Sequence, residues 1–167
     1  SGCSSLPFQV TIQDPQIVPT KNSFTWVGLQ VGMKNNKSPM IDREQVVVVF
    51  NIYPLSPAMK ATVNKNDIII SIDGEKLKDH NDFIGRIKKS IPNKEIRLEV
   101  FRDGGFIDLK IKLQSYDMET YVNRVIEYVK ETRNDDFAHL ILGDYFTLKK
   151  DLQKAIEHFK TATIVNS

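Results

Sequence analysis

The chain has one cysteine, Cys3, among 167 residues. A lone thiol forms neither an internal disulfide nor a cysteine-rich zinc site. Long apolar runs are lacking too: no stretch reaches the roughly eighteen apolar residues that a membrane-crossing helix needs. Charge of one sign is scarce, since 23 Lys and Arg against 21 Asp and Glu leave a net charge of +2, too little to mark a nucleic-acid surface. Only three histidines occur, His80, His139 and His158, and none sits in an H-E-x-x-H zinc motif. The nucleophile motifs G-x-S-x-G and S-x-x-K and the phosphate loop G-x-x-x-x-G-K are missing. A triad of scattered residues would leave no spacing to read, because it is set by geometry. The expectation is nonetheless a non-catalytic chain, with no cofactor and no metal.

What is present is a globular composition, 41% hydrophobic and 26% charged, where a disordered chain would have less of the former. The length suits one ordinary domain or two small ones. Residues 1–23 mix Pro7, Pro15 and Pro19 with polar residues and read as a linker, in which Phe8 to Ile12 alternates like a short strand. Ser1-Gly2-Cys3-Ser4-Ser5 resembles the end of a bacterial lipoprotein signal, in which small residues precede the cysteine that is lipidated. That resemblance implies a lipid anchor at Cys3 and a place on the periplasmic side of a bacterial envelope, with the membrane reached only through lipid.

From Phe24 to Gln114 the pattern is β-rich. Trp26 to Val31 reads as a strand with Gly28 at its mouth, and Gly32 to Gln45, polar and containing Pro39, as a loop. Val46 to Tyr53 is a β-branched run expected of a buried strand, stopped by Pro54. Ser56 should cap a short helix with Pro57 at its first position. Ile68 to Ile72 is the next strand, and Asp73-Gly74 a tight hairpin turn. Asp79 to Ser90 carries Phe83, Ile84 and Ile87 at helical spacing. Two alternating runs, Ile96 to Phe101 and Phe106 to Leu113, flank Asp103-Gly104-Gly105 as a hairpin. After Gln114 the period changes to about 3.6, with helical runs at 117–132, 136–148 and 151–165. The segments expected are therefore 1–23, 24–115 and 116–167.

Ser56, Pro57, Ala58, Ala61, Val63, Asp67, Ile68, Ile69, Ile70, Ile72, Asp73 and Gly74 match a run in which the middle of the chain resembles a bacterial-type PDZ domain. Two positions depart from that pattern, Thr62 and Asn66, where the family has glycine. Asn66 tolerates a left-handed backbone. Thr62, being β-branched, does not, so a locally different turn is expected there. Leu142, Gly143, Phe146, Ala155, Phe159 and Ala162 resemble a tetratricopeptide repeat, with His139 where that motif has Trp and Ser167 where it has Pro. Gly143 and Ala155 would let two helices approach, with Phe159 between them. The fold class implied is α+β: a PDZ-like, partly open barrel or sandwich with two helices, followed by a small all-α segment.

PDZ domains bind the carboxyl end of a partner chain, added as a strand beside a sheet edge. By that resemblance Val27-Gly28-Leu29 is the carboxylate loop, and Leu29, Gln30 and Val31 the pairing strand. Ile84 and Ile87, with Leu29, line the pocket for the last side chain. His80 meets a Ser or Thr two residues upstream, or is simply a helix-end histidine. Trp26, before the loop, touches the ligand or packs half-buried. The resemblance implies a protein-interaction module, an adaptor for carboxyl-terminal or extended peptides with a helical tail as second contact surface. The alternatives are a structural subunit of an envelope or secretion assembly with an unused groove, and the regulatory part of a protease system.

Overall fold

The computed structural model describes residues 24–165. The expected linker, the short strand at Phe8 to Ile12, Cys3 and Ser167 lie outside the described residues. Contacts divide the chain into two compact units, one of them Phe24–Ser115, and the residues from Tyr116 onward fall in the other.

In the first unit, Leu29–Asn35 (β2), Gln45–Ile52 (β3), Ile68–Ile72 (β4), Glu95–Arg102 (β6) and Gly105–Lys112 (β7) form a sheet in the order β2-β3-β4-β6-β7, with Glu75–Lys76 (β5) paired to β4. Phe24–Trp26 (β1) pairs with Gln114–Tyr116 (β8). Two helices complete it, Pro57–Lys60 (α1) and His80–Lys89 (α2). The core is drawn from both: Val47, Val49, Ile69, Leu98, Val100 and Ile111 of the sheet meet Ala58, Phe83 and Ile87 of the helices. β3 is legible from its composition because Val46 to Val49 is buried on both faces, which removes the alternation of a half-exposed strand.

The turns follow their residues. Asp73 and Gly74 take φ 51° and 82°, the left-handed pair of a type I′ hairpin. Ser56 caps α1, its Oγ accepting from Met59 N at 3.1 Å, and Pro57 opens the helix. Asp79 rather than His80 caps α2, accepting from Asp82 N at 2.8 Å.

Two expectations are corrected. Gly32 to Asn35 is not loop but the continuation of β2, in register with Val48 to Gln45. Its polar residues belong to a strand at the end of the sheet, where one edge needs no apolar cover. The loop proper, residues 36–44, is tied by one side chain: Asn36 Nδ2 donates to the carbonyls of Ser38, Ile41 and Arg43 at 3.0, 2.7 and 2.8 Å. That loop sends Ile41 into a second cluster with Val46, Val48 and Phe101. The second correction is Thr62, which adopts φ 61°, as Asn66 adopts φ 70°. The turn does not change to suit a β-branched residue; the residue is held left-handed. The Thr62 carbonyl accepts from Arg102 at 2.9 Å, and Arg102 also pairs with buried Asp67 at 2.7 Å. That hydrogen bond to Asp67 is the main reason the guanidinium is pushed up from its ordinary value.

In the second unit, Met118–Glu131 (α3), Asp136–Leu148 (α4) and Leu152–Val165 (α5) are capped by Asp117 and Asp135 at the first two. Tyr121, Val122 and Val125 are the buried residues of α3. Gly143 sits where a Cβ would come within 2.5 Å of the Phe159 ring, so α4 and α5 approach as closely as a glycine allows.

Candidate functional site: a groove between β2 and α2

β2 lies at one end of the sheet, and α2 packs beside it. Leu29, Val31, Met33 and Ile84 are half-buried against the core, and Ile87 is buried in it. These side chains make an apolar strip where strand and helix adjoin, and the strip has two distinct ends.

At one end lies the loop Val27-Gly28-Leu29. The Val27 carbonyl accepts from Ala58 N, and the Gly28 carbonyl from Tyr53 N, each at 2.9 Å. No peptide bond among the described residues is cis, so each following N–H points opposite to its carbonyl. The N–H groups of Gly28 and Leu29 are therefore directed away from α1 and β3. The strand register agrees. Leu29 faces Ile52, and the flanking Tyr53-to-Gly28 bond makes that a pair without mutual hydrogen bonds. Further along, Val49 donates to Asp67 and accepts from Asn66, both at 2.9 Å. Its opposite residue on β2, Val31, thus turns its N–H and C=O to the outer edge. Successive outward N–H groups form a concavity suited to an anion, and the edge beyond presents a donor and an acceptor for an added strand.

Gly28 makes this possible in two ways. Its φ is +81°, and a Cβ would come within 2.1 Å of Ser56 Cβ. Trp26 flanks the loop: its ring meets Tyr53 edge-on at 5.5 Å, and it is buried. Val27 is also buried, so both support the loop from the protein side. The Gln30 side chain accepts from Asn51 at 2.6 Å and is engaged on β3.

At the other end, His80 opens α2, half-buried, with an Nδ1 that is shielded from solvent and has no hydrogen-bond partner. It borders a cleft of about 630 Å³ with Met33, Arg43, Glu44, Gln45, Lys78 and Asp79. Arg43 reaches across to donate to the carbonyls of Leu77 and Lys78. α2 is anchored by Arg86, which bonds Asp82 at 2.9 Å and the carbonyls of Glu75 and Lys76. Asp82 accepts from the Lys78 N–H and from Arg86, and these bonds hold its carboxyl below the ordinary value. The structure thus gathers Leu29, Val31, Ile84 and Ile87 on the walls, with Gly28 and His80 at opposite ends. Ser56 and Asn36 shape the site without a sequence signal for it, while Arg43, which as a loop charge could have assisted the carboxylate, instead holds the Leu77 and Lys78 carbonyls. Ser56 reads from sequence only as a helix cap, and the reach of Arg43 leaves no local signal.

A strand edge facing a helix, closed by an outward-turned N–H loop, defines a peptide-groove domain of the PDZ kind. Residues 27–113 match the family model for the PDZ domain, and the chain belongs to that family. It is 30% identical over 113 residues to a probable periplasmic serine endoprotease DegP-like of Bartonella henselae, covering 66% of this chain and 22% of that protein. It is 34% identical over 77 residues to a probable periplasmic serine protease do/HhoA-like of Haemophilus influenzae, covering 46% and 16%. The chain spans less than a quarter of either relative. Among solved structures, an HtrA-type protease AlgW with decapeptide shares the fold at a TM-score of 0.50 and 20% identity, over 65% of this chain and 33% of that one.

Proposed function

We propose that this chain is a non-catalytic receptor for carboxyl-terminal peptides, an adaptor of the periplasmic side of a bacterial envelope, anchored through lipid at Cys3. The observation that carries the reading is the pair of occupied carbonyls, Val27 to Ala58 and Gly28 to Tyr53, which leaves the intervening N–H groups aimed outward at one end of an open strand edge. The peptide's carboxylate sits on the N–H groups of Gly28 and Leu29. Its backbone pairs with Leu29 and Val31, and its last side chain enters between Leu29, Ile84 and Ile87. The half-exposed ring of His80 meets a hydroxyl further upstream. The helices α3 to α5 form a tetratricopeptide-like second surface, a reading supported by the Gly143–Phe159 approach. Micromolar affinity, about −8 kcal/mol, would suit reversible recruitment.

The experiment is a titration of the full chain with peptide pools, free-acid against carboxyl-amidated, followed by backbone amide NMR. The expected outcome is shifts at residues 26–31 and 80–87 with the free acids and at least tenfold weaker binding on amidation. Equal binding of both forms would remove the carboxylate loop from the site. A second reading, the regulatory part of a protease system, is favoured by the names of the two curated relatives. Co-purification of a peptidase whose activity changes on adding this chain would support it.

A further inference from the structure

In the helical unit, His139 of α4 and His158 of α5 meet Nδ1 to Nδ1 at 3.0 Å. Phe146 stacks on His158 at 5.6 Å and an angle of 4°. Two bare lone pairs would repel at this distance and two N–H groups would collide, so one proton lies between the rings. His139 is 7% exposed, and its Nε2 is buried without a partner. A buried orphan acceptor is tolerated more readily than a buried orphan N–H. His139 is therefore the Nδ1–H tautomer, donating to the bare Nδ1 of His158.

Adding a proton to this arrangement has no good outcome. On His139 Nε2 it creates an N–H with nothing to accept it. On His158 Nδ1 it takes over the shared position, and His139 must move its own proton to Nε2, with the same result. A second proton sets two N–H groups face to face. Every protonated form of the pair in contact carries a penalty, and separation of the rings relieves it. We propose that the His139–His158 contact is an acid-sensitive latch, holding α5 on α4 at neutral pH and releasing it as the rings take up protons.

The surroundings agree. Burial first, and then His139, hold His158 below the ordinary imidazole value of 6.5, while Glu157 pulls it the other way. For such a depressed group, stability is full above the unfolded value and is lost as pH falls below it. Asp144, also on α4, acts in the opposite sense. It is buried with Oδ2 unpartnered, and burial pushes its carboxyl from 3.8 up to about 7. Its neutral form suits the fold, so its contribution is present below 3.8 and lost as pH rises through 7. Of the charged groups on the same helices, Lys154 lies over the Phe146 ring at 5.2 Å. Asp135 accepts from Tyr128 and the Ala138 N–H at 2.9 Å. On α3, Glu119 is taken by Tyr145 and Lys149.

The test uses the full chain carrying Asp144→Asn, which removes the opposing carboxyl. Imidazole nitrogen NMR at pH 7.5 should show one ring as the Nδ1–H tautomer. Hydrogen exchange of α5 amides, corrected for intrinsic rates, should lose protection by about tenfold per pH unit for each proton taken up below 6.5. Adding His139→Leu and His158→Phe together should keep the helix content and abolish the loss. Two Nε2–H rings at pH 7.5, or an unchanged acid response in the folded double variant, would overturn the latch. Should the double variant not fold, the tautomer measurement alone decides.

Discussion

Thr62 shows how far one residue can be pressed by its neighbours. An L residue in the left-handed region carries a steric penalty, greatest when it is β-branched. Yet Thr62 sits there at φ 61°, with its carbonyl held by Arg102. The side chain is exposed, so it contributes little packing in return. Thr62→Gly should therefore stabilise the domain by about 0.5–1 kcal/mol, the relief of strain less the added freedom of glycine in the unfolded chain. Urea denaturation would read it as a higher midpoint at unchanged slope; a lower midpoint would mean that the threonine is doing something the backbone does not reveal. The local cost of threonine is legible in the sequence; Arg102, forty residues away, which fixes the turn from outside, is not.

At the scale of elements, the same Arg102 ties β6 to the turn before β4. Asp67 is 1% exposed and accepts from Arg102 Nε and from the Asn64 N–H, each at 2.8 Å. Arg102→Met keeps the length of the side chain and removes the charge, leaving a buried carboxylate with one partner fewer. The expected loss is about 3–5 kcal/mol, measured by thermal or urea unfolding. A loss within that range that disappears in the double variant Arg102→Met with Asp67→Asn would assign it to the unpaired charge. The elements themselves were largely legible. β3 declared itself by Val46 to Val49, the hairpins by Asp73-Gly74 and Asp103-Gly104, and α2 by Phe83 and Ile87. What was not legible had its cause in pairing: Gly32 to Asn35 is strand because Gln45 to Val48 lie opposite. The histidine contact was hidden in the same way. His139 drew notice only as a replacement for Trp, and nothing local places His158 against it.

On the scale of the molecule, each unit has its own apolar interior. The main core cluster of the first is drawn from residues between Val27 and Leu113, and the buried apolar residues of the helices include Val122, Val125, Ile141 and Leu142. A fragment of residues 24–115 should then unfold cooperatively and bind free-acid peptides within about threefold of the full chain, by calorimetry and titration. A fragment that folds but does not bind would make the remaining residues part of the receptor. The latch belongs to this scale as well, for it would alter the helical surface with acidity.

The contact between Gly28 and Ser56 also limits how this sequence can drift. A methyl at 28 would lie 2.1 Å from Ser56 Cβ, so no side chain enters there while the serine stays. Giving up the serine first sacrifices the cap of α1. Nor does clearing the serine free position 28, because its backbone at φ +81° strains any side chain placed there. A lineage can leave glycine at 28 only at a cost in the backbone itself, and a library that varies one position at a time will find that glycine fixed.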